Sequence, residues 1–287
     1  MCILTIIKVN DPYYGKFRVI AFQRDENTRA KCQPLNYHPE QNDLIGLFNA
    51  KYYNSPFAIG ANGDFAILLD LRLHENDTRR GYRDFMRGQF VKDFLTSDID
   101  TVEFAKQKKS IEGTFPHIMY LSKQNQPNIY YCSDEEELLE VSYANTRISC
   151  FTTWTGDRHI RYYRKERIEH MVKEVVESFV NTKNQPLSDL IDKVLYVLSD
   201  TVQPTDNDPL PDLGKPLIYE KAVGSIRIPT MSLREGSVMG WMTRSSIVSI
   251  ISDEHIMVKE RVWEYAKTVD EIDKVKDNFT DSELIII

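Results

Sequence analysis

Cys2 is the residue of this sequence whose position suggests chemistry most directly. If Met1 is removed, one residue carries both a thiol and a free α-amine. An α-amine has a pKa of about 7.7–8.0 and can take the thiol proton, so the nucleophile brings its own base. The alternative is that Cys2 is a small, readily buried residue at the start of a strand.

The first two strands are predicted to form a hairpin. Two apolar, β-rich runs, Cys2–Val9 and Lys16–Phe22, flank residues that are typical of a turn. These turn residues are Asn10–Pro12 and Gly15. The pattern therefore predicts an antiparallel pair at the beginning of the chain.

This hairpin places charged residues beside Cys2. A turn centred near Tyr13 puts Arg24 opposite Cys2 and Asp25 one step away. A neighbouring guanidinium favours a thiolate, and a neighbouring carboxylate can orient an amine. The alternative is that Arg24–Glu26 is a strand end with a surface ion pair worth about 0–1 kcal/mol.

Strands and helices are predicted to alternate in groups along the chain. Apolar alternation and turn residues predict strands at Phe57–Ile59, Phe65–Leu71, His117–Ser122, Asn128–Cys132, Thr146–Phe151, Ser225–Ile228, Arg244–Ile251 and His255–Arg261. Helical spacing predicts helices at Arg79–Leu95, Thr101–Lys108, residues 160–179 and Pro186–Leu198, with a helical extension over residues 262–287. This order favours a layered α+β fold with two antiparallel sheets between helix layers.

Composition narrows the class of protein. The chain has 287 residues, 41% of them hydrophobic, and a formal net charge of -7, which argues against nucleic acid as a bulk partner. The apolar runs are shorter than the roughly eighteen residues of a membrane span. We expect a soluble intracellular protein with reduced thiols and no metal site, because Cys2, Cys32, Cys132 and Cys150 lack metal-ligand spacing.

Several motifs resemble one family. Their order and spacing extend from residue 2 to about residue 261, and the motifs are "MCIL", "RVIAFQRDENTRA" (Arg18–Ala30), "RGQFVKDFL" (Arg87–Leu95), "LPDLGKPLIYEKAVGSIRI" (Leu210–Ile228), "MTRSSIVSI" and "HIMVKER". The chain resembles the transport and Golgi organisation protein 2 family, also called the NRDE family, with Gln23 in place of the signature's Asn.

The resemblance implies a fold and a set of roles. It implies a four-layer αββα sandwich of the N-terminal nucleophile hydrolase type, here expected as one domain over residues 1–287, in which removal of Met1 exposes Cys2 at the start of a central strand. If the chain is an enzyme, we expect Cys2, Arg24, Asp25 and Arg244 as catalytic residues. The alternative for Arg244 is that it ends a ladder of surface residues instead of pointing into the cleft of Cys2. The resemblance also implies haem mobilisation, lipid and acyl-CoA metabolism, and Golgi organisation. We expect a cytoplasmic protein associated with mitochondria, the Golgi or lysosome-related organelles.

The sequence departs from the family pattern at several polar positions. Leu69-Asp70 replaces Thr-Asn, Thr152-Thr153 replaces Ser-Asn, and Met242-Thr243-Arg244 replaces Gly-Thr-Arg. Asn side chains are usual oxyanion donors in such hydrolases, and losing one donor costs about 10²–10³ in rate. The pattern favours a binding protein over an efficient amidase.

One basic segment is a candidate ligand site. It lies at the start of the helix predicted over residues 160–179, and its candidate ligand-binding residues are Arg158, His159, Arg161, Arg164, Lys165 and His170. Guanidinium and ammonium groups bind the propionates of haem, lipid head groups and the phosphates of coenzyme A, and His is an axial ligand of haem iron. The alternative is an ordinary solvated helix face.

Two functions of different class follow from these observations. The first is an intracellular haem-handling protein, or a carrier of a related amphipathic anionic ligand such as an acyl-CoA, with haem as a possible ligand and no required cofactor. The alternative is an amide or thioester hydrolase that uses Cys2 and acts in lipid or acyl-CoA metabolism. Peripheral contact with an organelle membrane is compatible with both.

Overall fold

The structure is a computed structural model of the chain. It describes residues 2–27, 33–48, 55–71, 76, 87–109, 116–133, 138–140, 148–152, 162–210, 213–234, 237–275 and 277–286. The chain divides into two compact units. The first comprises residues 1–31, 147–152 and 156–287, and the second comprises residues 32–146 and 153–155.

Strands and helices follow one another in groups, as predicted. The strands are β1 Ile3–Asp11, β2 Gly15–Asn27, β3 Asn36–His38, β4 Gln41–Gly46, β5 Phe57–Gly60, β6 Phe65–Asp70, β7 His117–Ser122, β8 Ile129–Cys132, β9 Leu139–Glu140, β10 Ile148–Thr152, β11 Ser232–Arg234, β12 Ser237–Val238, β13 Trp241–Ser252, β14 Ile256–Trp263 and β15 Phe279–Ile286. The helices are α1 Gly88–Thr96, α2 Thr101–Lys109, α3 Tyr163–Asn181, α4 Leu187–Val197, α5 Leu217–Val223 and α6 Ile272–Val275.

The first unit is built on an antiparallel sheet with the strand order β10, β1, β2, β13, β14, β15. On one face of this sheet, alternate residues such as Ile7, Val19 and Val248 pack in a common core with apolar residues of α3 and α4. Because side chains of a strand point alternately to its two faces, the intervening residues point to the other face of the sheet.

The first hairpin confirms the predicted register. Its turn is closed by the Asp11 carboxylate, which accepts hydrogen bonds from the main-chain N–H groups of Tyr13 and Tyr14 at 2.8 and 2.9 Å. Gly15 follows in the left-handed region, with φ of 70°, which glycine adopts at little cost. The strands pair Ile3 with Gln23, so the next step places Arg24 opposite Cys2.

The second unit is an antiparallel meander in which β3 to β9 lie side by side in chain order. Helices α1 and α2 pack on one face through Phe90, Phe94 and Phe104, which share a core with sheet residues such as Ala66 and Met119. The hairpin predicted from Asn62-Gly63-Asp64 is present, since β5 and β6 pair around it. Of the helix predicted over Arg79–Leu95, residues 79–86 lie outside the described residues.

The α+β class predicted from the sequence is confirmed. Each unit contains a large antiparallel sheet with helices packed on it, and the first unit also holds the two-stranded sheet of β11 and β12. Antiparallel sheets with helices packed on them are the elements that the predicted αββα fold of the N-terminal nucleophile hydrolase type requires. The division into two compact units leaves the single domain over residues 1–287 as a prediction.

Two predicted elements were wrong. Residues Ser225–Ile228 are not a strand, because the Ile226 carbonyl bonds to the side chains of Gln23 and Arg164, and the Arg227 N–H bonds to the carbonyl of Asp200. Ile228 contacts β13 at one residue, Thr243, whose hydroxyl accepts from the Ile228 N–H and whose main-chain N–H donates to the Ile228 carbonyl. The helical extension over residues 262–287 is also incorrect. After the end of β14, this region contains a 3-10 turn, the short helix α6 and then strand β15. Strand β15 pairs with β14 over its full length, and this pairing determines its conformation.

Candidate active site

A buried carboxylate forms the centre of the candidate site. Asp25 lies near the end of β2, and its side chain is fully buried. One carboxylate oxygen, Oδ2, accepts a hydrogen bond from Nη1 of Arg164 at 2.7 Å. The other, Oδ1, accepts one from the hydroxyl of Thr243 at 2.6 Å. Both oxygens are thus held by buried donors of two other elements, α3 and β13.

The two donors are fixed in turn by an irregular segment, residues 225–228. Nη2 of Arg164 donates to the main-chain oxygen of Ile226 at 2.7 Å. The Thr243 hydroxyl accepts a hydrogen bond from the main-chain N–H of Ile228 at 2.9 Å. Gln23 donates to the carbonyls of Leu198 and Ile226 at 2.8 and 3.2 Å. The Asp25 carboxylate is therefore a fixed negative charge in a hydrogen-bonded network.

Cys2 lies next to this network, as the register predicted. Its side chain is buried, and its Sγ atom lies 3.9 Å from the main-chain oxygen of Asp25. That distance suits a weak S–H···O contact. The thiol is thus held at the backbone of the residue whose carboxylate Arg164 and Thr243 fix.

Arg24 is the cation beside Cys2. Its side chain is only 14% exposed, and its ion pair with Glu26 is long, with 3.9 Å between Nη2 and Oε2. A guanidinium that is largely removed from water needs compensation by an anion. At this distance Glu26 gives weak compensation, so the geometry suits an added carboxylate or phosphate.

Arg244 occupies a bulge in β13. The strand pairs Thr243 with Asp25 and Ser245 with Arg24, so Arg244 is the extra residue. Its guanidinium lies 4.2 Å from the centre of the Tyr265 ring and donates to the main-chain oxygen of Asn27 at 3.5 Å. The bulge directs this arginine to a stacked position near the end of β2.

The basic segment does not form one solvated face. Arg158, His159 and Arg161 lie outside the described residues. Arg164 is buried against Asp25 rather than exposed on a helix face, and its role as a ligand-binding residue stays a prediction. Lys165 is half-buried, and His170 is exposed and lies 3.4 Å from Glu174 one turn further along α3.

Two residues of this network whose roles were not predicted carry recognisable signals in the sequence. Arg164 precedes Ile168 and Val172 at four-residue spacing, so it lies on the apolar stripe of α3 that packs on the sheet. A charged residue on such a stripe is buried and needs a partner. Thr243 belongs to the Met242-Thr243-Arg244 triplet, in which only Arg244 was expected to contribute.

The other polar positions at which the sequence departs from the family pattern are Asp70, Thr152 and Thr153, and they are not among the contacts of Asp25 described above. Asp70 forms an ion pair with Arg87 at 2.7 Å within the second unit. The side chain of Thr152 and all of Thr153 lie outside the described residues. Cys150 is buried, and burial raises the pKa of its thiol to about 12.

No metal-binding cluster of His, Cys, Asp or Glu occurs among the residues that the structure describes. Within the same residues, no helix is long and apolar enough to cross a membrane. The arrangement around Cys2 supplies a thiol, a fixed carboxylate and neighbouring guanidinium groups, which is a set suited to acyl transfer.

Comparisons with known proteins give one family match and several structural likenesses. The family model described as Transport and Golgi organisation 2 matches residues 1–265. No curated protein matches the sequence.

Among solved structures, an orthologue of N-acylethanolamine-hydrolyzing acid amidase from Caenorhabditis elegans is 11% identical, with 76% of this chain and 96% of that chain covered and a TM-score of 0.43. Two variants of conjugated bile acid hydrolase from Clostridium perfringens are each 9% identical, cover 98% of this chain and 96% of theirs, and give TM-scores of 0.48 and 0.44.

Proposed function

We propose a function for this chain as a member of the Transport and Golgi organisation 2 family, to which it belongs. Cys2 is the nucleophile of a hydrolase that opens the thioester or amide bond of an acyl compound bearing an anionic group. The observation that carries the proposal is the position of the Cys2 thiol, 3.9 Å from the main-chain oxygen of Asp25 and opposite Arg24.

The proposed reaction uses the two groups of the first residue. After removal of Met1, the α-amine of Cys2 takes the thiol proton, and the sulfur attacks the acyl carbon. The tetrahedral intermediate collapses with loss of the thiol or amine leaving group, which takes the proton from the ammonium. Water, deprotonated by the same amine, then hydrolyses the acyl-cysteine and restores Cys2.

The charges around Cys2 support an anionic substrate. Arg24 is largely buried, and its carboxylate partner Glu26 lies 3.9 Å away. A carboxylate or phosphate of the substrate would compensate this cation with charge-assisted hydrogen bonds. The phosphates of an acyl-CoA are one group of this kind.

The test is an assay of acyl-CoA hydrolysis that measures the free thiol of coenzyme A as it is released. We expect turnover by the wild-type chain and none by Cys2→Ala. Arg24→Gln should raise KM more than it lowers kcat, because it removes a binding charge. Cys132→Ala, which changes a buried thiol of β8 in the second unit, serves as the matched control and should keep its turnover. Equal rates in Cys2→Ala and the wild type would refute the proposal.

Haem handling is the second candidate. The same Arg24 cation favours it, because a guanidinium also binds the propionates of haem. Haemin titration of the protein distinguishes the candidates. A saturable shift of the Soret band at micromolar haemin, lost in Arg24→Gln and accompanied by no acyl-CoA turnover, would favour the carrier.

A further inference from the structure

Asp277, in the segment after α6, binds the buried Arg227 next to the candidate site. Asp277 accepts a hydrogen bond from Nη2 of Arg227 at 2.8 Å. The Arg227 side chain is only 4% exposed, and its guanidinium lies 4.2 Å from the centre of the Trp263 ring. Burial lowers the pKa of Arg227, and the Asp277 carboxylate opposes that shift. Asp277 thus compensates a desolvated cation.

Strand β15 contacts a second arginine of the same region, Arg261. Asp281 accepts two hydrogen bonds from Arg261, at 2.9 Å each. The Phe279 ring lies 3.8 Å from the same guanidinium and 5.3 Å from the Trp263 ring. Cation–π and bidentate contacts of this kind fix orientation as well as adding attraction.

Arg227 lies between the two residues that hold the Asp25 network. Ile226 presents its carbonyl to Arg164, and Ile228 presents its N–H to Thr243. Arg227 itself donates its main-chain N–H to the carbonyl of Asp200 at 2.7 Å and its Nε to that of Ser199 at 3.2 Å. A chain of direct contacts therefore runs from Asp277 to the carboxylate of Asp25.

We propose that Asp277, Phe279 and Asp281 form a clamp that positions residues 226–228 and, through Arg164 and Thr243, the Asp25 segment against which Cys2 lies. These residues lie beyond the part of the chain that matches the family. They touch neither Cys2 nor Asp25 in the contacts described, so they are positioning residues. The proposal rests on the proposed function in so far as Cys2 is the reacting group.

The test compares two exposed carboxylates of the first unit. Asp277→Asn removes the negative charge that faces the Arg227 guanidinium. Asp192→Asn is the matched control, because Asp192 forms its ion pair with Lys259, at 2.6 Å, and not with a residue of the segment 226–228. The two side chains are 69% and 56% exposed. Amide hydrogen exchange by NMR reports the segment directly through the N–H groups of Ile228 and Thr243.

We expect Asp277→Asn to speed exchange at Ile228 and Thr243 about fivefold or more and to lower kcat on acyl-CoA, with exchange in the β1–β10 pair unchanged. Asp192→Asn should change the exchange rates at Ile228 and Thr243, the exchange rates in the β1–β10 pair and kcat by less than about twofold. Unchanged exchange at Ile228 and Thr243, or an equal increase in every strand, would overturn the clamp. Faster exchange with an unaltered kcat would overturn its link to Asp25.

A wild-type chain that hydrolyses no acyl-CoA would defeat the proposed function alone. The exchange rates of Asp277→Asn and Asp192→Asn would then decide the clamp by themselves, because they require no substrate.

Discussion

At the scale of the residue, Asp25 joins three elements, because its carboxylate on β2 binds one side chain of α3 and one of β13. Both of its carboxylate oxygens accept hydrogen bonds from buried donors, one of them the Arg164 guanidinium. A carboxylate held by two such donors keeps its orientation. Its contribution is to hold the main chain at which the Cys2 thiol lies.

Asp25→Asn should therefore be strongly destabilising. The change leaves the Arg164 guanidinium buried without its counter-charge, which costs about 3–5 kcal/mol. Thr243→Val removes a neutral donor and should cost less, about 1–3 kcal/mol. Urea unfolding of both variants measures the difference. Equal decreases in the free energy of unfolding of the two variants would contradict the view that the Arg164–Asp25 ion pair contributes most of the stabilisation.

The cysteines should differ in reactivity. Burial raises the pKa of Cys150 to about 12, so this thiol stays protonated at pH 8 and reacts slowly with iodoacetamide. Peptide mass spectrometry after timed labelling should find Cys2 modified well before Cys150. Labelling in urea is the control, because both thiols are then exposed and should react at similar rates.

The sequence predicted part of this site. The hairpin pattern was sufficient to place Arg24 opposite Cys2, since a tight turn fixes the register. It was not sufficient to find Thr243 or the role of Arg164. Their contacts with Asp25 span 218 and 139 residues of sequence, and no local spacing rule reports contacts of that separation.

At the scale of the element, the first hairpin is the part that positions Cys2. Gly15 adopts φ of 70° in open space, so an added Cβ meets no atom within 4 Å and the cost of a side chain is conformational. Gly15→Ala should therefore destabilise the protein by about 1–2 kcal/mol.

Gly240→Ala is the control for this change, because its Cβ also meets nothing within 4 Å and its φ is not positive. Thermal unfolding of the two variants compares them. A loss at Gly240 as large as that at Gly15 would show that the left-handed turn is not the cause.

Elements with strong local signals were predicted well, and those defined by tertiary contacts were not. Helix α4 and the β5–β6 hairpin follow apolar periodicity and turn chemistry closely. Residues 225–228 have the composition of a strand, yet their peptide groups serve Arg164, Gln23 and Thr243. Strand β15 was predicted to be helical. It is a strand because it pairs with β14, and a local pattern does not report that tertiary contact.

At the scale of the whole molecule, stability should depend on pH through His38. Burial and the positive charge of Lys92 lower the pKa of this imidazole. The unfolded chain then binds the proton first as the pH falls below about 6.5, so the free energy of unfolding decreases toward acid, by at most about 1.4 kcal/mol per pH unit from this group.

Urea unfolding between pH 7.5 and 5.5 measures that dependence. His38→Gln, whose amide oxygen can accept the hydrogen bond that the Glu40 N–H donates to Nδ1, should show a smaller decrease. An identical decrease in wild type and variant would assign the pH dependence to other groups.

The central claim for the molecule is that Cys2 is an acyl-accepting nucleophile with a free amine. Intact-mass analysis of the protein before and after brief exposure to an acyl-CoA tests it most directly. We expect a chain without Met1 that gains one acyl group on Cys2, and no such gain in Cys2→Ala. A chain that retains Met1, or an acyl group that persists in Cys2→Ala, would contradict it.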